Sequence, residues 1–156
     1  MMEKIIIESP AFKEGELIPA RYTCDGTNLS PALKWSDSPG GTKSFTLISD
    51  DPDAPVGVWV HWVVYNIPPD VHELPENVPS TGTLANGAIQ GITDFGSIGY
   101  GGPCPPSGTH RYYFKLYALD CKLELGPGAS KKDVVEVMKG HILAEGQLMG
   151  AYRRQR

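Results

Sequence analysis

No apolar run in these 156 residues approaches the roughly 20 that a membrane-spanning helix needs, so stable membrane insertion is not expected. Basic residues are sparse too. Lys and Arg number 14 against 18 acidic residues, for a net charge of −4, and only the tail Arg153-Arg154-Gln155-Arg156 clusters them. Nucleic-acid binding needs a basic face, which excludes that class; the tail reads as a solvated terminus. The three cysteines, Cys24, Cys104 and Cys121, match no zinc spacing. An odd number in a reducing compartment implies free thiols, although Cys24 and Cys104 both fall in turn-rich loops and are candidate neighbours. Met1-Met2-Glu3-Lys4 leads into only three isoleucines before Glu8-Ser9-Pro10, too short and too acidic for a signal peptide. A cytoplasmic protein is expected. There is no internal repeat, low-complexity tract or linker, and 40% hydrophobic content suffices for one buried core, so residues 1–156 read as a single domain.

Turn formers, by contrast, are abundant. Eighteen glycines and fourteen prolines cut the chain into short segments, the punctuation of many strands. Ile5 to Ile7 reads as a first strand. Phe45-Thr46-Leu47-Ile48 reads as a buried strand and Val58 to Ile67, rich in Val, Trp and Tyr, as a central one. Tyr112 to Leu119 alternates with the period of a strand. Pro68 to Ala85 holds four prolines and reads as a long surface loop with room for one helical turn. One helix is expected, starting at Ser130, where Ser130 and Asp133 form a capping-box-like pair ahead of Val134, Val137 and Met138. Pattern alone leaves His141 to Arg154 open between helix and strand. These elements predict a mainly β fold, an antiparallel β-sandwich with one late helix packed at an edge.

Chemistry concentrates in two loop-then-histidine units. Asp51-Pro52-Asp53-Ala54-Pro55 runs into Trp59-Val60-His61-Trp62; Gly99 to Pro106 runs into His110-Arg111-Tyr112. The prolines stiffen both loops, which lowers the entropy lost on binding. Gly99, Gly101 and Gly102 offer backbone N–H groups for a concave anion nest. His61 and His110 are hydrogen-bond donors to an anion, stronger when protonated. Trp59, Trp62 and Tyr112 are candidates to wall the pocket. Structural readings stand beside these. Asp51 and Asp53 also suit turn capping, His61 a satisfied core histidine, and Trp62, Tyr113 and Tyr117 the core. Arg111 suits an ion pair on the opposite face from His110, while His72 and His141 read as isolated surface residues. A metal site from His61, His110, Asp51 and Asp53 has suitable ligand types but no supporting spacing. A hydrolase using Ser107 or Thr109 with His110 lacks a Gly-x-Ser-x-Gly elbow. No cofactor or enzymatic activity is expected.

At these residues the chain resembles the phosphatidylethanolamine-binding protein family, in particular its prokaryotic Raf-kinase-inhibitor-like branch. The shared motifs are Tyr22-Thr23-Cys24-Asp25-Gly26, Ser30-Pro31, Leu33-Lys34-Trp35, Asn66-Ile67-Pro68, Asp94-Phe95-Gly96 and Gly140-His141-Ile142-Leu143-Ala144, together with the two units above. The resemblance implies an antiparallel β-sandwich in which the chain returns as a strand after the helix. It implies a small pocket for a phosphorylated or carboxylate ligand, built from Asp51, Asp53, Pro55, Trp59, His61, Gly102, Pro103, His110 and Tyr112. It further implies a cis Ala54–Pro55 bond, a homodimer, and a protein partner: family members inhibit kinases or serine proteases, or scaffold signalling proteins. Only Val56-Gly57-Val58 separates the first motif from Trp59, where eukaryotic members carry a longer basic insertion.

Overall fold

A computed structural model describes residues 3–154. Met1 and Met2, where the leader was sought, and Gln155 and Arg156 of the basic tail lie outside the described residues. Nine strands and one α-helix follow in order: β1 (Glu3–Lys4), β2 (Ile7–Glu8), β3 (Leu33–Trp35), β4 (Ser44–Asp51), β5 (Trp59–Ile67), β6 (Glu73–Leu74), β7 (Ile89–Gln90), β8 (His110–Leu119), α1 (Lys131–Met138) and β9 (Ile142–Tyr152). A 3-10 turn covers Ala20–Tyr22. The large sheet has the order β1-β9-β8-β4-β5-β7 and the small one β2-β3-β6. Among the described residues no helix is long and apolar enough to cross a membrane.

The mainly β, sandwich-like architecture agrees with the sequence reading. The main core lies between the sheets, around Trp35, Phe45, Leu47, Trp62, Phe114 and Leu148. A second cluster covers the far face of the large sheet, where Val134 and Met138 of α1 meet Ile48, Val63, Tyr65 and Leu119. The central strands are therefore covered on both faces. That is why all eight residues of β4 are buried and why every residue of β5 but Trp59 and Asn66 is buried. On β8 the even positions His110 to Ala118 are buried, whereas the odd positions from Arg111 to Tyr117 are less covered; there the predicted alternation survives.

Local chemistry sets the element ends. Ser130 Oγ accepts from the Asp133 N–H at 3.1 Å, and Asp133 Oδ2 accepts from the Ser130 N–H at 3.5 Å, the reciprocal capping box foreseen at this position. Gly140 (φ 81°) turns the chain after α1. Residues 142–152 then form β9, pairing along the length of β8. Ala144 and Glu145, good helix formers, yield here to that tertiary pairing, as the family resemblance implied. The Ile5–Ile7 strand divides. β1 pairs with β9 in one sheet and β2 with β3 in the other, so the chain crosses the sandwich here. Ile5 and Ile7 are buried while Ile6 is 68% exposed. Residues 68–85 contain β6 and no helical turn.

Two expectations are corrected. Cys24 and Cys104 are a disulfide, not free thiols, with Cα atoms 5.4 Å apart; Cys121 is free. The two loops are already adjacent: the Cys24 N–H donates to the Pro103 carbonyl (3.1 Å), and the Tyr100 hydroxyl donates to the Tyr22 carbonyl (2.7 Å). The Ala54–Pro55 bond is not cis, since no cis peptide occurs among the described residues. The reversal there comes from a turn closed by the Gly57 N–H on the Ala54 carbonyl (3.0 Å), with Gly57 at φ 108°.

Candidate functional site

The end of β4 and the starts of β5 and β8 meet at one end of the sandwich, because Asp51 pairs with Trp59 and Asp50 with Tyr113. Consecutive side chains on a strand point to opposite faces, and the acidic end of β4 divides accordingly. Asp50 is buried with Lys115 (3.3 Å) and Lys131 (2.7 Å), fastening α1 to the sheet. Asp51 turns toward His110. A cleft of about 260 Å³ opens there, lined by Asp51, Ala54, Pro55, Val56, Trp59, His61, Phe95, Cys104, Pro105, Pro106, His110 and Tyr112.

His61 is placed by a bulge. Ser49 pairs with Trp62 and Asp50 with Val60, which leaves His61 as the extra residue of β5. Trp62 thereby enters the core, its Nε1–H on Gln90 Oε1 at 2.7 Å, while His61 faces the cleft. His61 Nδ1 lies 2.6 Å from the Gly101 carbonyl; a carbonyl only accepts, so Nδ1 carries the hydrogen. Burial holds this imidazole below its ordinary pKa, opposed by the Gly101 carbonyl and the Asp51 charge.

His110 is oriented by a carboxylate. Its Nδ1 donates to Asp51 Oδ2 at 2.6 Å, and both side chains are buried. Asp51 Oδ1 accepts from the Asp53 N–H at 2.7 Å. Asp51 thus caps the turn and fixes the histidine together. His110 Nε2 is then the ring nitrogen left for a ligand. Tyr112 sits between the two imidazoles, edge-on to His61 (5.2 Å) and stacked with His110 (6.4 Å). Its hydroxyl is buried and has no hydrogen-bond partner among the described residues. Burial, reinforced by the Asp51 and Asp53 charges, pushes the phenol well above its ordinary pKa, so it stays a neutral donor.

Of the nine expected site residues, six line this cleft: Asp51, Pro55, Trp59, His61, His110 and Tyr112. Asp53 lies outside it. Its carboxylate forks onto Arg111, with Nε to Oδ2 at 2.9 Å and Nη2 to Oδ1 at 2.8 Å. That contact lowers its pKa to about 2 and is the ion pair foreseen for Arg111. Gly102 and Pro103 stand behind the wall. The Gly102 N–H donates to Asn28 Oδ1 (2.9 Å) and the Gly101 N–H to the His61 carbonyl (2.9 Å), so these amides brace the loop and do not form an anion nest. A Cβ at Gly102 would stand 2.2 Å from the Tyr22 carbonyl oxygen, the reason a glycine is needed there. Sequence reasoning did not assign Phe95 to the pocket. Its ring packs on Trp59 (5.6 Å) and His61 (5.2 Å); the visible signal was the Asp94-Phe95-Gly96 turn, closed from Gly96 N–H to the Thr93 carbonyl (3.0 Å).

The chain is thus a mainly β sandwich with an aromatic, histidine-bearing cleft at its strand ends. The family signature described as "Phosphatidylethanolamine-binding protein" matches residues 8–153. The chain is 59% identical over 148 residues to a UPF0098 protein of Methanothermobacter thermautotrophicus, covering 95% of this chain and 98% of that one. A UPF0098 protein of Aquifex aeolicus is 55% identical over 149 residues, 94% of this chain and 86% of its own. Two crystal structures superpose with TM-scores of 0.90. One, 42% identical, is a putative phosphatidylethanolamine-binding protein homologue from Chlamydia trachomatis (98% and 99% covered). The other, 37% identical, is Escherichia coli YbcL, described as a new member of the mammalian phosphatidylethanolamine-binding protein family (97% and 99% covered). This chain belongs to the phosphatidylethanolamine-binding protein family, as a prokaryotic-type member.

Proposed function

We propose that the protein is a binding module whose cleft holds a small anion of the phosphate or phosphoethanolamine type, and that occupancy modulates a kinase or other protein partner. No turnover is part of this reading. The observation that carries it is the buried, unpartnered Tyr112 hydroxyl between two imidazoles whose Nδ1 atoms are already engaged. An unsatisfied buried hydroxyl costs about 1–3 kcal/mol; an anionic oxygen at the cleft would recover that loss. The cleft, about 260 Å³, is smaller than the roughly 300–1,000 Å³ of drug-sized sites, which suits a head group and not an acyl chain.

Phosphate and phosphoethanolamine titrations followed by NMR test the proposal. Shifts centred on His61, His110 and Tyr112 are expected, with weakened affinity in His61→Ala and His110→Ala. Unchanged affinity in both variants would overturn it.

A second reading, serine-protease inhibition through the Pro75–Ala85 loop, has its own support. Ser80 and Thr81 are exposed, yet the loop is braced from inside, since the buried Gln90 amide donates to the carbonyls of Pro79 (2.7 Å) and Thr81 (2.8 Å). Stiffness of this kind lowers the cost of docking. Inhibition of serine proteases should survive His61→Ala and disappear when the loop is shortened; dependence on His61 would exclude this route.

A further inference from the structure

We propose that Asp120, Cys121 and His141 form a site for a borderline-soft divalent cation of the zinc type, at the end of β8 remote from the anion cleft. Among the described residues these three place one ligand atom each within 4.8 Å of one another. Thiolate, imidazole and carboxylate are the ligand types that zinc takes in tetrahedral sites. Zinc bond lengths of about 2.0–2.3 Å put tetrahedral ligand atoms roughly 3.3–3.7 Å apart. The observed set therefore needs displacements of only about 1 Å.

The backbone holds these donors in place. The Asp120 N–H donates to the His141 carbonyl at 3.0 Å, across the base of the excursion that carries α1. On the other side, the Lys43 N–H donates to the Leu119 carbonyl (2.8 Å) and the buried Ser44 hydroxyl to the Cys121 carbonyl (2.6 Å). His141 Nδ1 and Asp120 Oδ1 already face each other at 2.8 Å. Both side chains are nearly half exposed and Cys121 is half-buried, so an ion can reach them. Three protein ligands leave a fourth position for water or an outside group.

This site is separate from the cleft. The ten residues of β8 run from His110 to Leu119, about 30 Å at the rise of an extended strand. A cation here would close the residue 121–140 excursion at its base.

The test titrates untagged, disulfide-intact protein with Co²⁺, and then displaces it with Zn²⁺. One equivalent per chain should bind with a thiolate-to-cobalt charge-transfer band. Cys121→Ser should lose that band, and His141→Ala should weaken binding roughly tenfold or more, as changes around metal ligands do. Zn²⁺ should raise the thermal midpoint of the parent protein and leave Cys121→Ser unmoved. His110→Ala should bind Co²⁺ with unchanged affinity; loss of binding there would assign the ion to the cleft and overturn the proposal. Absence of the band, or equal affinity in parent, Cys121→Ser and His141→Ala, would also overturn it.

Discussion

Tyr112 bears two opposed demands. Its ring belongs to the core and its hydroxyl is buried without a partner among the described residues. Tyr112→Phe removes an unsatisfied group and leaves the ring, so stability in phosphate-free buffer should hold or rise, by up to about 1 kcal/mol. Phosphate affinity should fall in the same variant. Urea unfolding and phosphate titration on one preparation check both; a clear loss of stability would mean the hydroxyl has a structural partner. His61 gives the pH prediction. Its folded pKa lies below its ordinary value because of burial. Between that lowered value and about 6.5 the unfolded chain binds more protons than the folded one, so stability falls as pH drops through this window. His61→Gln should flatten that part of the profile, read as urea midpoints from pH 7.5 to 5. An unchanged slope would assign the acid sensitivity elsewhere.

Strands and helix differ in how much of them the sequence disclosed. The capping box of α1 was legible because it is local: Ser130 and Asp133 are three residues apart. Ser130→Ala should cost about 1 kcal/mol, measured as a shifted denaturation midpoint with unchanged anion binding, since α1 lies on the far face of the large sheet from the cleft. β9 was illegible for the opposite reason. Its conformation is dictated by β8, more than twenty residues upstream, and its own residues do not settle the choice. The bulge at His61 is a further case. Simple alternation would put His61 and Trp62 on opposite faces, but the register shift, which depends on β4, brings both to the face of Tyr112 and leaves Val60 and Val63 on the far one. Six pocket residues were legible because loop-then-histidine motifs bring their own stiffness and chemistry. Gly102 and Pro103, put in the pocket by the resemblance, do not line the cleft; a motif does not say whether an amide faces a cavity or a neighbouring loop. Phe95 came from a third segment whose adjacency is purely tertiary.

For the molecule as a whole the Cys24–Cys104 bridge matters most. It joins loops 80 residues apart, and Cys104 lines the cleft. Loss of a bridge closing so long a segment costs about 2–5 kcal/mol. Cys104→Ser, or reduction, should lower the thermal midpoint and weaken phosphate binding together. A lowered midpoint with unaltered binding would show that the cleft wall stands without the bridge. Cysteine counting pointed to free thiols because it had no access to the Cys24 N–H on the Pro103 carbonyl or to the loops' packing.

The bridge also changes what a broken chain would look like. A protease cut anywhere between Cys24 and Cys104 leaves both fragments covalently joined. On a gel run without reductant, such nicked protein would migrate as one species of full mass and pass for intact. Adding reductant would release two pieces, whose sizes report which surface loop had been opened.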